Sequence, residues 1–153
     1  MSAVDTPESS IIPDYETAAA YLLKKTGVRP QIGVICGSGL SGLSACIENA
    51  ETIYFKDIPE FPRATVAGHK GEMVFGIING ISTVCMRGRF HYYEGNSMAA
   101  VAMPVRVMRL LGVKLLVVTN ASGAVNPAFN VGDICVIQDH FGAPTFTGSN
   151  PLV

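Results

Sequence analysis

The sequence predicts an α/β fold, with a mixed, largely parallel β-sheet flanked by helices. Short apolar runs rich in β-branched residues alternate with longer helical stretches, which is the pattern of parallel strands joined by crossover helices. Turns rich in glycine and asparagine separate these runs. With 153 residues, 48% of them apolar and 15% charged, the chain can bury one sizeable core. We expect a flexible polar tail over 1–13 and a single folded unit over 14–153.

The first half of the chain predicts two helices, two strands and a glycine-rich turn. Tyr15–Thr26 carries an apolar stripe, and Asp14 is placed to cap its start. Gln31–Cys36 is a short apolar run and indicates a buried strand. It leads into the turn Gly37–Gly42, after which we expect a short helix and then a strand over Thr52–Phe55.

The second half predicts a hairpin, a helix and two further strands. Asn79 and Gly80 join two apolar runs and are the strongest short signal for a hairpin. The helix contains Pro104, where we expect a kink or a break. The apolar run after the helix indicates a buried strand. The predicted segments are the strands Met73–Ile78, Ile81–Met86, Lys114–Thr119 and Val131–Gln138 and the helix Ser97–Leu111.

Composition argues against several classes of partner. A formal net charge of −1, with scattered basic residues, leaves no basic surface for nucleic acid or for an anionic membrane. No apolar run approaches the roughly 20 residues that span a bilayer, and the first ten residues have no apolar signal core. The three histidines lack metal-ligand spacing. We therefore expect no metal, no nucleic acid and no membrane partner.

The cysteines indicate a reducing compartment. Cys36, Cys46, Cys85 and Cys135 form no C-x-x-C pair and lie mostly in apolar, strand-like runs. Buried free thiols are typical of proteins that fold where disulfides do not persist. We therefore expect buried free thiols and a cytoplasmic location.

The stretch Arg89–Gly95 combines a cation, an imidazole, a phenol and a carboxylate just after an apolar run. If the backbone is extended, Arg89, His91 and Tyr93 share one face. That face suits a phosphate held beside a sugar, because it offers a forked cation, a second donor and an aromatic wall. The alternative is a polar strand end with a surface ion pair.

Three further motifs each leave alternatives open. Gly37–Gly42 with Asp57 matches a dinucleotide fingerprint, but the same loop could bind one phosphate through helix N-terminal N–H groups and the Ser38 hydroxyl, or be a plain turn. The Asn120–Gly123 turn could admit a ligand to its main-chain N–H groups or be structural. His69, in a loop with neighbouring glycines, could close on an anion or be exposed to solvent.

Six segments together resemble, in order and spacing, the trimeric purine nucleoside phosphorylases. The resemblance extends from about residue 14 to the last residue and favours the phosphate interpretation of the first glycine loop. The matching segments are Val34–Leu40, Pro59–Arg63, Ala67–His69, Gly88–Gly95, Val118–Gly123 and Val131–Ile134.

This resemblance implies a nucleoside phosphorylase-like fold and phosphorolysis of purine ribonucleosides to free base and ribose 1-phosphate, in purine salvage. It implies a homotrimer that uses inorganic phosphate as a co-substrate and needs no cofactor. The run Tyr93–Gly95 resembles enzymes that prefer 6-oxopurine nucleosides such as inosine and guanosine. The alternative within the family is a methylthioadenosine phosphorylase-like enzyme.

The resemblance also implies roles for seven residues. Glu94 would hydrogen-bond to His91 and orient it, and these two would form the catalytic pair. Tyr93 would lie against the ribose. The phosphate ligands would be Ser38, His69, Arg89, His91 and the backbone N–H of Ala121.

In the family, the domain continues for about as many residues again beyond the equivalent of Val153. Residues 14–153 would then be the N-terminal half of one phosphorylase domain and would lack the base-binding residues. We expect the sequence to be a segment of a longer enzyme, and a chain that ended at Val153 would hold half an active site and show no turnover. The alternative to an enzyme is a catalytically inactive fragment, natural or engineered, that binds phosphate or nucleoside.

Overall fold

A five-stranded sheet and two helices form the core of the computed structural model, which describes residues 13–62 and 71–142. The predicted tail therefore lies outside the described residues, apart from Pro13. No helix of the described part is long and apolar enough to cross a membrane. The helices are α1 (Tyr15–Lys25) and α2 (Met98–Leu110), and the strands are β1 (Ile32–Cys36), β2 (Glu48–Tyr54), β3 (Glu72–Ile78), β4 (Ile81–Arg87) and β5 (Leu115–Val118), with 3-10 turns at Ser41–Cys46, Phe55–Asp57 and Tyr92–Glu94.

The sheet has the strand order β2-β3-β4-β1-β5 and is mixed, as predicted. β1 pairs in parallel with β4 and β5, while β3 pairs antiparallel with β2 and β4. Two of the four described strand pairings are parallel, and both involve β1. The other two are antiparallel, and both involve β3. β3 and β4 form the predicted hairpin, and its turn residues Asn79 and Gly80 both have positive φ.

The two faces of the sheet are covered unequally. Side chains alternate between the two faces, so Val84 and Met86 of β4 lie on one face of the sheet and Cys85 lies on the other. Helices α1 and α2 contribute to the larger core on one face, and a smaller cluster lies on the other. The larger core includes Leu22, Ile35, Phe55, Met73, Phe75, Val84, Met86, Met103 and Val107, and the smaller cluster contains Val34, Cys36, Ile47, Val74 and Cys85.

Helix α1 confirms the first predicted helix and its cap. Oδ1 of Asp14 accepts a hydrogen bond from the Thr17 N–H at 2.9 Å. Hydrogen bonds from the side chain and then the backbone of Thr17 hold the pKa of Asp14 below its ordinary value. Ala18 and Leu22 are fully buried, so the predicted apolar stripe does face the core.

Helix α2 continues through Pro104, so the predicted break is wrong. Pro104 is buried together with Met103, Val107 and Met108, and this packing offsets the hydrogen bond that proline cannot make. Val105, next to the proline, is apolar but 39% exposed. Because α2 is apolar on most of its surface, its hydrophobic pattern did not define the buried face.

In the described part of the sheet β5 is an edge strand, which differs from the prediction of a buried strand over Lys114–Thr119. Leu115 and Val118 are each 56% exposed. Among the described strands β5 pairs with β1 alone. A buried parallel strand needs a neighbour on each side and cover on both faces, and the apolar run by itself carries no information about either.

The predicted strand over Val131–Gln138 is also wrong for the described residues. The segment 119–142 contains turns and no assigned strand, and Ile134 is 93% exposed. A strand forms only where another strand takes up its backbone N–H and C=O groups. None of the five described strands pairs with this segment, so its apolar character did not produce a strand.

The cysteines are all free, and the expectation that they are buried is confirmed for two of the four. Cys36 and Cys85 lie on adjacent strands with their Sγ atoms 3.3 Å apart. Burial, with a further contribution from the Cys36 hydrogen bond, raises the pKa of Cys85 to about 12. Cys46 and Cys135 are exposed because their segments lie outside the core.

We expect alkylation at pH 8 to separate the thiols into two classes. Iodoacetamide should modify Cys46 and Cys135 quickly and leave Cys36 and Cys85 intact, because the reagent reaches an exposed sulfur far more readily than a buried one. Peptide mass spectrometry after timed quenching measures this, and the same reaction in denaturant provides the control. Labelling of Cys85 in the native protein as fast as that of Cys46 would contradict the burial described here.

Candidate functional site

Three loops lie along one edge of the sheet, at the carboxyl ends of parallel strands. β1, β4 and β5 run in the same direction, with β1 between the other two. The loops that follow them, 37–39, 88–91 and 119–122, contain four of the predicted site residues. Open α/β sheets bind their ligands outside the carboxyl ends of such strands.

Gly37 joins the loop after β1 to the loop after β5. Its N–H donates to Oγ1 of Thr119 at 2.9 Å, and the Thr119 hydroxyl donates to the Ile35 carbonyl at 3.2 Å. A Cβ at position 37 would lie 2.5 Å from the Thr119 carbonyl oxygen and 2.7 Å from Cα of Asn120. Glycine is therefore required at this position for the two loops to approach so closely.

The glycine-rich loop leads into a 3-10 helix of six residues, Ser41–Cys46, and not into an α-helix. A helix this short has little cumulative dipole, so it offers less to an anion than the α-helix N-terminus of the phosphate interpretation. Gly39 has a φ of 78°, a conformation that favours glycine. The loop N–H groups and the exposed Ser38 hydroxyl remain as possible donors to an anion.

The strand order contradicts the dinucleotide interpretation of this loop. That fingerprint needs a second parallel strand next to β1, joined by a helix and ending at an acidic residue. Here β2, which precedes Asp57, is separated from β1 by β3 and β4. A Cβ on Gly42 would meet nothing within 4 Å, whereas the third glycine of the fingerprint permits close helix–strand packing.

Arg89 follows β4 on a segment that is anchored in the core. Its neighbour Phe90 is 3% exposed and packs on Phe55 and Phe61, with ring centroids 5.2 and 6.2 Å apart. The Nε atom of Arg89 is buried and has no hydrogen-bond partner among the described residues. Buried donors in folded proteins are normally satisfied, so this N–H fits an acceptor supplied by a ligand.

His91 and Glu94 form a short polar contact. Nδ1 of His91 lies 2.5 Å from Oε1 of Glu94, and the side chains are 21% and 5% exposed. Because an ionised carboxylate can only accept, the imidazole carries a proton on Nδ1 in this contact. The Tyr93 ring stacks on the imidazole, with centroids 4.7 Å apart and planes inclined by 19°.

The extended backbone predicted for Arg89–Tyr93 continues only as far as His91. The next three residues form a 3-10 turn that ends at Gly95, whose φ is 86°. This turn brings residue 94 back to residue 91, because side chains three apart nearly eclipse in 3-10 geometry. Tyr93 therefore meets His91 by stacking and not by strand alternation.

The structure joins some of the predicted site residues by contact and places others at the same edge through the strand order. Ser38 and Ala121, on the first and third loops, are exposed to solvent, so a ligand can reach both. The contacting group is His91, Tyr93 and Glu94, the group sharing the edge is Ser38, Arg89 and Ala121, and His69 lies outside the described residues.

Sequence reasoning missed two residues at this edge, Thr119 and Asn96. Nδ2 of Asn96 donates to the His91 carbonyl at 3.1 Å and to Oε2 of Glu94 at 3.4 Å. An asparagine after glycine is an ordinary turn signal, and it does not indicate which acceptors the side chain will meet.

Other features of the described residues offer no competing site. Two concavities of about 450 and 390 Å³ lie away from this edge, one between α1 and β2 and one beside α2 and β5. No group of three potential metal ligands occurs in the described ranges.

The chain is similar to known proteins over most of its length. The model of the phosphorylase superfamily matches residues 31–153. Purine nucleoside phosphorylase from Mus musculus is 56% identical over 139 residues, which are 91% of this chain and 48% of the relative. Purine nucleoside phosphorylase 1 from Bacillus subtilis is 50% identical over 138 residues, or 90% of this chain and 50% of the relative.

Solved structures share the fold. Isoform 2 of purine nucleoside phosphorylase from Schistosoma mansoni, in complex with cytosine and ribose-1-phosphate, matches with a TM-score of 0.84 and 44% identity over 92% of this chain and 49% of that one. Schistosoma mansoni purine nucleoside phosphorylase in complex with inosine gives 0.83 and 43%, over 91% and 48%. The chain thus spans about half the length of the relatives it matches.

Proposed function

Because this chain belongs to the phosphorylase superfamily, we propose that the full-length protein catalyses phosphorolysis of purine ribonucleosides of the inosine and guanosine type. The products would be the free base and ribose 1-phosphate. Two kinds of support converge: relatives named purine nucleoside phosphorylase at 50% identity or more, and a related structure that binds inosine.

The observation that carries the proposal is the buried, unpaired Nε of Arg89 at the edge shared with the Gly37 loop. A guanidinium can hold a phosphate oxygen through two parallel hydrogen bonds, which suits it better than lysine for this role. Ser38, the Ala121 N–H and His91 would complete the phosphate site, and His69 is proposed as a further ligand.

In the proposed reaction a phosphate oxygen attacks the anomeric carbon of the ribose while the bond to the purine nitrogen breaks. The purine leaves with the bonding electrons and takes up a proton. Arg89 and His91 would position the nucleophile, and Tyr93 would face the ribose. Holding phosphate and nucleoside in register accounts for a large part of such a rate enhancement.

We further propose a cytoplasmic homotrimer that acts in purine salvage and takes phosphate as a co-substrate, with no cofactor. The resemblance to trimeric phosphorylases supports the assembly and the role in salvage. Two buried thiols that remain free at 3.3 Å support a reducing location. Light scattering on a sizing column tests the trimer.

The decisive experiment incubates the full-length protein with inosine in the presence and absence of phosphate. We expect ribose 1-phosphate, identified by phosphorus NMR, and no reaction without phosphate. Free ribose released in phosphate-free buffer would contradict the proposal, because it would indicate hydrolysis. Methylthioadenosine serves as a parallel substrate, and its faster turnover would favour the alternative family member.

Glu94→Gln is expected to impair phosphate use without abolishing activity. The substitution keeps the volume but removes the charge from the hydrogen bond to His91, and charge-assisted bonds are about twice as strong as neutral ones. The KM for phosphate should rise about tenfold, and the pH profile of kcat/KM should change. Steady-state kinetics across pH measures both. Glu51→Gln, on exposed β2, is the control, and a loss as deep as that of Arg89→Ala would mean that Glu94 acts on the substrate directly.

A further inference from the structure

The amide of Asn96 faces two acceptors that both belong to the His91–Glu94 pair. One is the backbone carbonyl of His91 at 3.1 Å, and the other is Oε2 of Glu94 at 3.4 Å. Because a carbonyl and a carboxylate only accept, the nitrogen of the amide, and not its oxygen, must face them. An –NH₂ group has two hydrogens, so one side chain can serve both acceptors.

These two hydrogen bonds restrain the same contact from opposite ends. Oε1 of Glu94 is engaged by Nδ1 of His91 at 2.5 Å, and the second oxygen of that carboxylate is held by Asn96. The backbone of His91 is held at the same time, and it also accepts from the Glu94 N–H at 3.2 Å. With both of its oxygens engaged, the carboxylate has one preferred orientation, and the imidazole is oriented with it.

The position of Asn96 in the chain supports this role. It follows Gly95, which ends the 3-10 turn, and it precedes Ser97, which caps helix α2 by accepting from the Ala100 N–H at 3.2 Å. The backbone on both sides is therefore restrained independently of the Asn96 side chain. The Asn96 side chain does not cap the helix, and both of its hydrogen bonds go to the His91–Glu94 pair.

We propose that Asn96 is a positioning residue that holds the Glu94 carboxylate against His91 and so fixes the imidazole that faces phosphate. The proposal rests on the proposed function for the identity of the ligand, but the contact it describes exists without ligand. In this proposal the Asn96 amide orients the His91 imidazole and does not itself contact the substrate.

Three variants test the proposal. Asn96→Ala removes both donors, Asn96→Asp keeps the shape but turns a carboxylate toward two acceptors, and Ser97→Ala removes the helix cap one residue away without touching the pair. We expect the KM for phosphate to rise about tenfold in N96A, the effect of losing a hydrogen bond to a charged group, and to rise further in N96D, with kcat changed less. S97A should leave both constants near wild type.

The order of the variants separates positioning from space filling. If Asn96 only filled space, the isosteric N96D would resemble wild type and N96A would be the worse variant. That order, or an S97A effect equal to that of N96A, would overturn the proposal.

Nitrogen-15 NMR of the imidazoles gives a readout that is independent of activity. In wild type the proton on Nδ1 of His91 is held by Glu94 and should be protected from exchange with water, and N96A and N96D should lose that protection. His140, which is not among the proposed site residues, gives the internal reference. If the wild-type protein does not use phosphate, the proposed function fails, but the exchange protection of the His91 proton still tests the positioning role of Asn96. Retained protection in both N96A and N96D would overturn that role.

Discussion

Arg89→Ala is expected to abolish the phosphate-dependent rise in melting temperature and to reduce kcat/KM by about a hundredfold or more, the range found when a preorganised donor to a developing or bound oxyanion is removed. The basal melting temperature should stay almost unchanged, because the buried Nε of Arg89 has no partner to lose among the described residues. Differential scanning fluorimetry with and without phosphate, together with phosphorolysis kinetics, measures both effects.

Two further substitutions sharpen this prediction. Arg89→Lys keeps the charge but loses the fork, so it should recover only part of the phosphate response. Arg109→Ala is the matched control, because that guanidinium donates to the Val113 carbonyl at 3.4 Å near the end of α2, away from the loops of the site. A normal phosphate response in Arg89→Ala would show that this guanidinium does not bind the anion.

Gly37→Ala is expected to lower the free energy of unfolding by about 2 kcal/mol or more and to remove phosphate binding with it. The added Cβ would meet backbone atoms of Thr119 and Asn120 at 2.5 and 2.7 Å, and backbone on both sides cannot move aside cheaply. The two loops would have to separate, and the hydrogen bond from the Gly37 N–H to Thr119 would be lost. Urea unfolding and phosphate titration measure the two consequences.

The same loop provides its own control. Gly42→Ala places a Cβ where nothing lies within 4 Å, so its effect on stability should stay within about 0.5 kcal/mol. Gly39→Ala should fall between the two, because Gly39 has open space but a φ of 78°. Equal effects at positions 37 and 42 would mean that the close approach of the two loops is not what requires glycine.

Elements with strong local signals were predicted well. The capping aspartate defined the start of α1, and Asn79 with Gly80 defined the β3–β4 hairpin, because each depends on residues within a few positions of one another. The carboxyl ends of strands were also informative, since Gly37, Arg89 and Ala121 all follow parallel strands and lie on one edge.

Errors arose where the outcome depended on distant neighbours. The apolar runs at Lys114–Thr119 and Val131–Gln138 looked alike, yet one forms an edge strand and the other no strand. Strand pairing supplies the backbone partners, and no short stretch of sequence carries that information. The dinucleotide interpretation of Gly37–Gly42 also depended on strand pairing. The strand order contradicts it, because β3 and β4 lie between β1 and β2.

The sequence by itself determined the chemical groups available at the site: a guanidinium, an imidazole with a carboxylate three residues on, and a glycine-rich loop. Only the tertiary structure decided that Gly37 touches Thr119, that Glu94 contacts His91, and that Asn96 engages both members of that pair. The physical reason is that residue types and local turns are set by covalent chemistry and short-range sterics, whereas hydrogen bonds between segments form only after the sheet has placed their backbones together.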